Sequence, residues 1–116
     1  MSRRTDADFV NDIQEAIQHV RTYIAGMKYE AFVADKKTQD AVIRNIEIIG
    51  EATKHISEQT RKINTKIPWK QMAGVRDRLI HHYFGVNIDI VWQIAEFELP
   101  SVLSMLERML PDDPDD

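Results

Sequence analysis

Ala41-Val42-Ile43-Arg44-Asn45-Ile46-Glu47-Ile48-Ile49-Gly50-Glu51-Ala52 decides the fold class of this chain. Its apolar residues recur at spacings of three and four rather than two, which makes it part of an amphipathic helix and not a strand. Asp35 stands where a cap belongs, and the helix is expected from about Lys36 to Ser57. Val42, Ile46, Ile49 and Ile56 form one stripe, with Thr53 completing the spacing, and Asn45, Ile48, Ala52 and His55 form a second. Two stripes are more than one neighbour covers, so the helix belongs in the middle of a bundle or at a subunit interface. Gly50 inside it costs about 1 kcal/mol relative to alanine. A close approach by another helix would account for that cost; so would a tolerated accident.

Working outward, Phe9, Ile13, Ala16, Ile17, Val20, Ile24 and Met27 mark a helix from Asp6 to Met27, capped by Thr5 or Asp6. Residues 29–34 are long enough for one or two turns and put Tyr29, Phe32 and Val33 on the core. Residues 57–67 are polar and basic and read as a connection, with at most fraying helix at the start. Pro68-Trp69 looks like a helix start. Met72, Val75, Leu79, Ile80 and Tyr83 keep helical spacing through to Phe84, where Gly85 is placed to terminate, and Gly74 is a point at which the segment can split. Asn87 or Asp89 opens the last helix. Pro100, with the bias it imposes on Leu99, predicts a kink or break before a final helix to Leu110. The expectation is an all-α antiparallel bundle of four to five helices, as one domain over 1–110, followed by a disordered acidic tail over 111–116.

A chain of 116 residues fits one domain. It has no cysteine, hence no disulfide and no thiolate metal site. The polar start lacks the apolar core of a signal peptide, and no apolar run nears the ~20 residues of a membrane span. A soluble, cytoplasmic protein with no membrane partner is expected. The net charge is −4, but residues 61–82 carry six basic side chains against Asp77 alone, a balance of +5, while the remainder stands at −9. Such asymmetry can turn one surface toward phosphate, or it can mark a solvated basic linker.

The chemistry concentrates in Val75-Arg76-Asp77-Arg78-Leu79-Ile80-His81-His82-Tyr83-Phe84-Gly85. Metal-free RNA cleavage needs a base for the ribose 2′-hydroxyl proton, an acid for the leaving 5′-oxygen and a cation for the developing phosphoryl charge. Histidine suits the first two because its ordinary pKa lies near neutrality, and arginine suits the third because its planar fork matches phosphate. Arg76 and His81 supply these types, with Arg78 and His82 as possible auxiliaries. On one continuous helix, five residues would set His81 about 140° around the axis from Arg76, while Tyr83 would share the arginine's face. Convergence would then need distortion at the helix end or a two-fold dimer that joins the groups across subunits. Asp77 and His81 make at most a two-ligand corner, so no metal site is expected, and no serine or cysteine stands beside the histidines for a nucleophilic triad.

Arg76-Asp-Arg-Leu-Ile-His81-His-Tyr83 resembles the R-x4-H-x-Y signature of the HEPN superfamily, specifically the HepT-type toxins paired with minimal nucleotidyltransferase antitoxins. Residues 41–52 resemble that family's long central helix, and Ile67-Pro68-Trp69 and Val91-Trp92-Gln93-Ile94 resemble its flanking segments, so the likeness covers roughly residues 6–110. The resemblance implies an all-α homodimer with a composite site at the dimer cleft. It implies a metal-independent endoribonuclease toxin of a type VII-like toxin–antitoxin pair, needing no cofactor, with Arg76 and His81 as the catalytic pair. It also implies a switch, in which the cognate nucleotidyltransferase transfers AMP from ATP to Tyr83 and so places bulky negative charge beside the catalytic groups. Asp77, Arg78, His82 and Lys70 are the expected supporting or RNA-binding residues. The alternative is a non-catalytic dimeric module that binds a nucleotidyltransferase or a nucleotide.

Overall fold

The computed structural model describes residues 3–80 and 85–109. Their regular structure is helical apart from one isolated antiparallel bridge, Ile80 to Val86, in keeping with the all-α expectation. The helices are α1 (Asp6–Ile24), α2 (Tyr29–Val33), α3 (Lys36–Lys54), α4 (Glu58–Ile63), α5 (Trp69–Ala73), α6 (Val75–Leu79), α7 (Ile88–Gln93) and α8 (Leu99–Glu107). A π-helical turn, Ile94–Glu98, joins α7 to α8 without a break. None of these helices is long and apolar enough to cross a membrane.

α1 and α3 run antiparallel: Phe9 stacks on His55 at one end, and His19 Nδ1 lies 3.3 Å from Asn45 Oδ1 further along. The α7–α8 rod completes the core. Ile13, Ile17 and Val20 of α1 are buried with Val42, Ile46 and Ile49 of α3 and Val91 and Ile94 of the rod. Each such side chain contributes about 2 kcal/mol on burial. Phe32 seals one end against Trp92, ring centroids 5.1 Å apart.

The caps fall where the residue types placed them. Thr5 and Asp8 form a reciprocal capping box on α1, Asp35 accepts from Thr38 N–H at 3.0 Å, and Asn87 accepts from Ile90 N–H at 3.2 Å. Several boundaries differ from expectation. α1 ends at Ile24, and the chain turns at Gly26 with φ +76°, so Met27 is outside the helix. α3 ends at Lys54, with His55 as its cap residue. Of the three residues expected to anchor α2 in the core, only Phe32 does; Tyr29 and Val33 are exposed, because a five-residue helix can turn only one face inward.

The stretch expected to be a connection contains α4, for a tertiary reason. Ser57 caps it, and the Asp6 carboxylate at the start of α1 accepts hydrogen bonds from the Ser57 N–H and the Ser57 and Thr60 hydroxyls. Burial raises the Asp6 carboxyl, but these bonds and nearby Arg61 outweigh it and hold it below its ordinary value. Arg61 donates to the Thr53 and Ile56 carbonyls at 2.7 and 3.2 Å, closing the C-terminus of α3.

The break expected near Leu99 is absent as well. Leu99 is helical (φ −63°, ψ −40°), and its N–H donates to the Ile94 carbonyl, five residues back. That wider turn directly precedes Pro100, which has no N–H to donate and whose ring needs room where a regular helix places a carbonyl. The expected end at Leu110 lies outside the described residues, as does the tail over 111–116; α8 is helical to Glu107.

Candidate functional site

The site begins at Gly50. A methyl group there would lie 3.2 Å from Val75 Cγ1 and 3.4 Å from the Met72 carbonyl oxygen. Gly50 is therefore the point where α3 touches the α5–α6 corner, which settles its presence in favour of close approach. Gly74 divides α5 from α6, as its position suggested. Val75 is buried against α3, and the next residue is consequently turned outward.

That residue is Arg76. Its side chain is 71 % exposed, and Nε stands 3.9 Å from Glu47 Oε2, an ion-pair distance too long for a hydrogen bond. It lines a groove of about 420 Å³ together with Phe9, Arg44, Glu47 and His55. Its guanidinium is thus accessible for a planar oxyanion ligand.

Arg78, on the same short helix, is already engaged. It donates to both Glu98 oxygens, at 2.7 and 2.9 Å, and so ties α6 to the π-helical turn. These hydrogen bonds hold the Glu98 carboxyl below its ordinary value against the opposing effect of burial, and they raise Arg78. Lys70 on α5 and Asp77 on α6 are exposed.

α6 stops at Leu79, five residues short of the expected end at Phe84. Ile80 is extended (φ −93°, ψ 124°) and 47 % exposed, and it pairs with Val86. The Leu79 carbonyl, which a continuing helix would use internally, accepts from Asn87 N–H at 2.7 Å. Gly85, with φ +82°, precedes the returning residue in a backbone conformation that favours glycine. Gly85 stands beside this bridge, six residues beyond the end of α6. The 140° separation expected for Arg76 and His81, and the face expected to be shared by Arg76 and Tyr83, both presupposed helix beyond Leu79. α6 does not extend to His81 or Tyr83, so neither relation follows from helix geometry. His81, His82 and Tyr83 lie outside the described residues; the structure brings together the residues on either side of them, Leu79–Ile80 and Val86–Asn87.

Sequence reasoning did not single out Arg44, Glu47 and Phe9 as companions of Arg76, and it gave His55 a packing role. A signal existed: Arg44, Glu47 and Glu51 follow one position before Asn45, Ile48 and Ala52 of the second stripe, and at spacings of three and four they lead to His55, which ends it. What the spacing lacked was the knowledge that α5–α6 would set Arg76 against that stripe.

The family model for HepT-like ribonucleases matches residues 13–109. The chain is 41 % identical over 107 residues to a protein of Thermococcus cleftensis named probable ribonuclease HepT, covering 92 % of this chain and 97 % of that one. It is 39 % identical over 112 residues to a protein of Methanocaldococcus jannaschii named putative RNase, covering 97 % and 93 %. It is 36 % identical over 107 residues to a putative RNase of Caldanaerobacter subterraneus, covering 92 % and 96 %. No solved structure matches the chain. The family match spans α3, the α5–α6 corner with Arg76 and the α7–α8 rod, and on that evidence the chain belongs to the HepT-like ribonuclease family.

Proposed function

We propose that this protein is a metal-independent endoribonuclease, with Arg76 and His81 as the catalytic pair. One observation carries the reading: in a chain that matches the ribonuclease family over most of its length, the motif arginine projects into an open groove, accessible to solvent. In the reaction, the ribose 2′-oxygen attacks the adjacent phosphorus and the bond to the 5′-oxygen breaks. A histidine takes the 2′-hydroxyl proton, a second protonated group supplies one to the leaving 5′-oxygen, and Arg76 stabilises the charge on the non-bridging oxygens. The products are a 2′,3′-cyclic phosphate and a 5′-hydroxyl end. Both proton-transfer groups come from the motif histidines in a homodimer, where two copies of the motif meet.

The same reading makes the protein a cytoplasmic toxin whose antitoxin is a nucleotidyltransferase. The Tyr83 hydroxyl attacks the α-phosphorus of ATP, pyrophosphate leaves, and the adenylylated tyrosine repels the RNA backbone from the site. Incubation of the purified chain with RNA in EDTA tests the proposal. Cleavage that leaves cyclic phosphate ends and disappears in Arg76→Ala and His81→Ala supports it; cleavage that survives both substitutions refutes it. Mass analysis of Tyr83 after incubation with a cognate nucleotidyltransferase and ATP, followed by the same assay, tests the switch.

A further inference from the structure

The groove beside Arg76 contains a feature that the catalytic reading does not use. The His55 ring lies nearly parallel to the Phe9 ring, at 13° and 4.8 Å between centroids, while the residue as a whole remains exposed. The Arg4 guanidinium carbon lies 4.8 Å from the centroid of the same Phe9 ring. The contact fixes His55 at the C-terminal cap of α3, so its plane is set before any ligand arrives. The charges around it are unevenly committed. Glu47 faces Arg76, Glu51 pairs with Lys54, and Asp12 pairs with Arg4. Arg44 lines the same groove and has no acidic partner among the described residues. An exposed, oriented ring with an uncommitted cation about 16 Å away along the same helix suits a short run of single strand, a base at one end and a phosphate at the other: every base has a π face, and stacking needs no sequence-specific hydrogen bonds.

We propose that this groove is a nucleoside subsite for single-stranded RNA, in which a base stacks on His55, Arg44 binds a phosphate about two to three nucleotides along the strand, and the segment between them is thereby held across Arg76. The proposal deepens the ribonuclease reading and rests on it. It differs from that reading in assigning affinity, and not proton transfer, to a histidine outside the motif.

The test is binding of a fluorescein-labelled 2′-O-methyl oligoadenylate of about twelve nucleotides, which spans such a site and lacks the attacking hydroxyl. His55→Phe, which keeps the ring, binds within twofold of wild type. His55→Leu, which keeps apolar volume without a π face, binds about tenfold more weakly. Arg44→Gln also weakens binding and flattens its salt dependence by about one phosphate contact. Thermal melts confirm that each variant is folded. Should His55→Leu fail to fold, the wild-type ring resonances of His55, assigned through His55→Phe, carry the test: they move on titration with the oligonucleotide if the base stacks there, and unmoved resonances overturn the proposal. Equal affinity for His55→Leu and wild type overturns it as well. If His55→Leu instead shifts self-association in sedimentation while RNA affinity is unchanged, the groove is an interface between copies and the subsite is wrong. Cleavage is scored separately on unmodified RNA. Wild-type binding without cleavage removes the ribonuclease reading and leaves the subsite; cleavage with ring-independent binding removes the subsite alone.

Discussion

Arg76 and Arg78 stand two positions apart on one five-residue helix, in opposite circumstances. Arg78 faces the α7–α8 rod and gives two nitrogens to Glu98 at 2.7 and 2.9 Å. Arg76 faces the groove and has only a 3.9 Å approach to Glu47, with most of its side chain in solvent. The residue type is the same and the helix is the same; the neighbour decides. A guanidinium already held by a bidentate carboxylate must break that pair to bind phosphate, whereas one held loosely has little to give up. The difference teaches that Arg78 is a tie between elements and that Arg76 is the arginine open to ligand.

The largest expected effect breaks this contrast from the groove side. Arg76→Ala lowers RNA cleavage by about two to three orders of magnitude, the usual cost of losing one group that stabilises transition-state charge. Its melting temperature stays within about a degree of wild type, because an exposed, loosely paired side chain contributes little to stability. A calorimetric scan beside the cleavage assay checks both halves. A drop in stability as large as the drop in activity would make Arg76 structural.

The next effect comes from the contact that turns Arg76 outward. Gly50→Val forces a branched side chain against Val75 and the Met72 carbonyl and costs about 2 kcal/mol. Urea unfolding reads this directly. Gly50→Ala is close to neutral, since the helix-propensity gain of about 1 kcal/mol offsets a 3.2 Å contact that a side chain can relieve. If valine is tolerated as well as alanine, the close approach of α3 and α5–α6 is wrong.

Arg78→Ala is smaller again. It costs about 1 kcal/mol, the upper range for a partly exposed pair with good bidentate geometry, or roughly 4 °C in Tm. It leaves more activity than Arg76→Ala does. Equal loss of activity in the two variants would erase the comparison.

The smallest effect is a pH dependence. The folded state lowers the Glu98 carboxyl below its ordinary value near 4.5. Its contribution is therefore fully present above that value and is lost as pH falls through the lowered one. The Tm difference between wild type and Glu98→Gln is expected to be largest near neutrality and to vanish in strong acid. A difference that persists at the lowest pH would mean that the pair is not what the substitution removes.

Much of the fold was legible because it is local. The three-and-four spacing of Val42, Ile46 and Ile49 needs only helix geometry, and all three are buried. Thr5, Asp35 and Asn87 cap helices because their short polar side chains reach free N–H groups one turn ahead. The misses are non-local. α4 depends on Asp6, fifty-one residues before Ser57 in the chain. The end of α6 depends on Leu79 and Ile80 pairing with residues beyond 85, and nothing in the spacing of Val75, Leu79 and Ile80 announces that pairing. Pro100 was read by the usual rule, and the π-helical turn before it is the physical exception.

The sequence by itself determined that the chain is helical, where its main caps lie and which residues make most of its core. Those follow from periodicity, capping geometry and side-chain type, all short-range properties. Tertiary structure alone decided which of two arginines is open to ligand, that Gly50 is a contact point, and that α6 yields to a bridge at Ile80. Each depends on a partner distant in the chain: Glu98 for Arg78, Val75 for Gly50, Val86 for Ile80. Spacing along the chain fixes which face a residue occupies, and only packing fixes what that face meets.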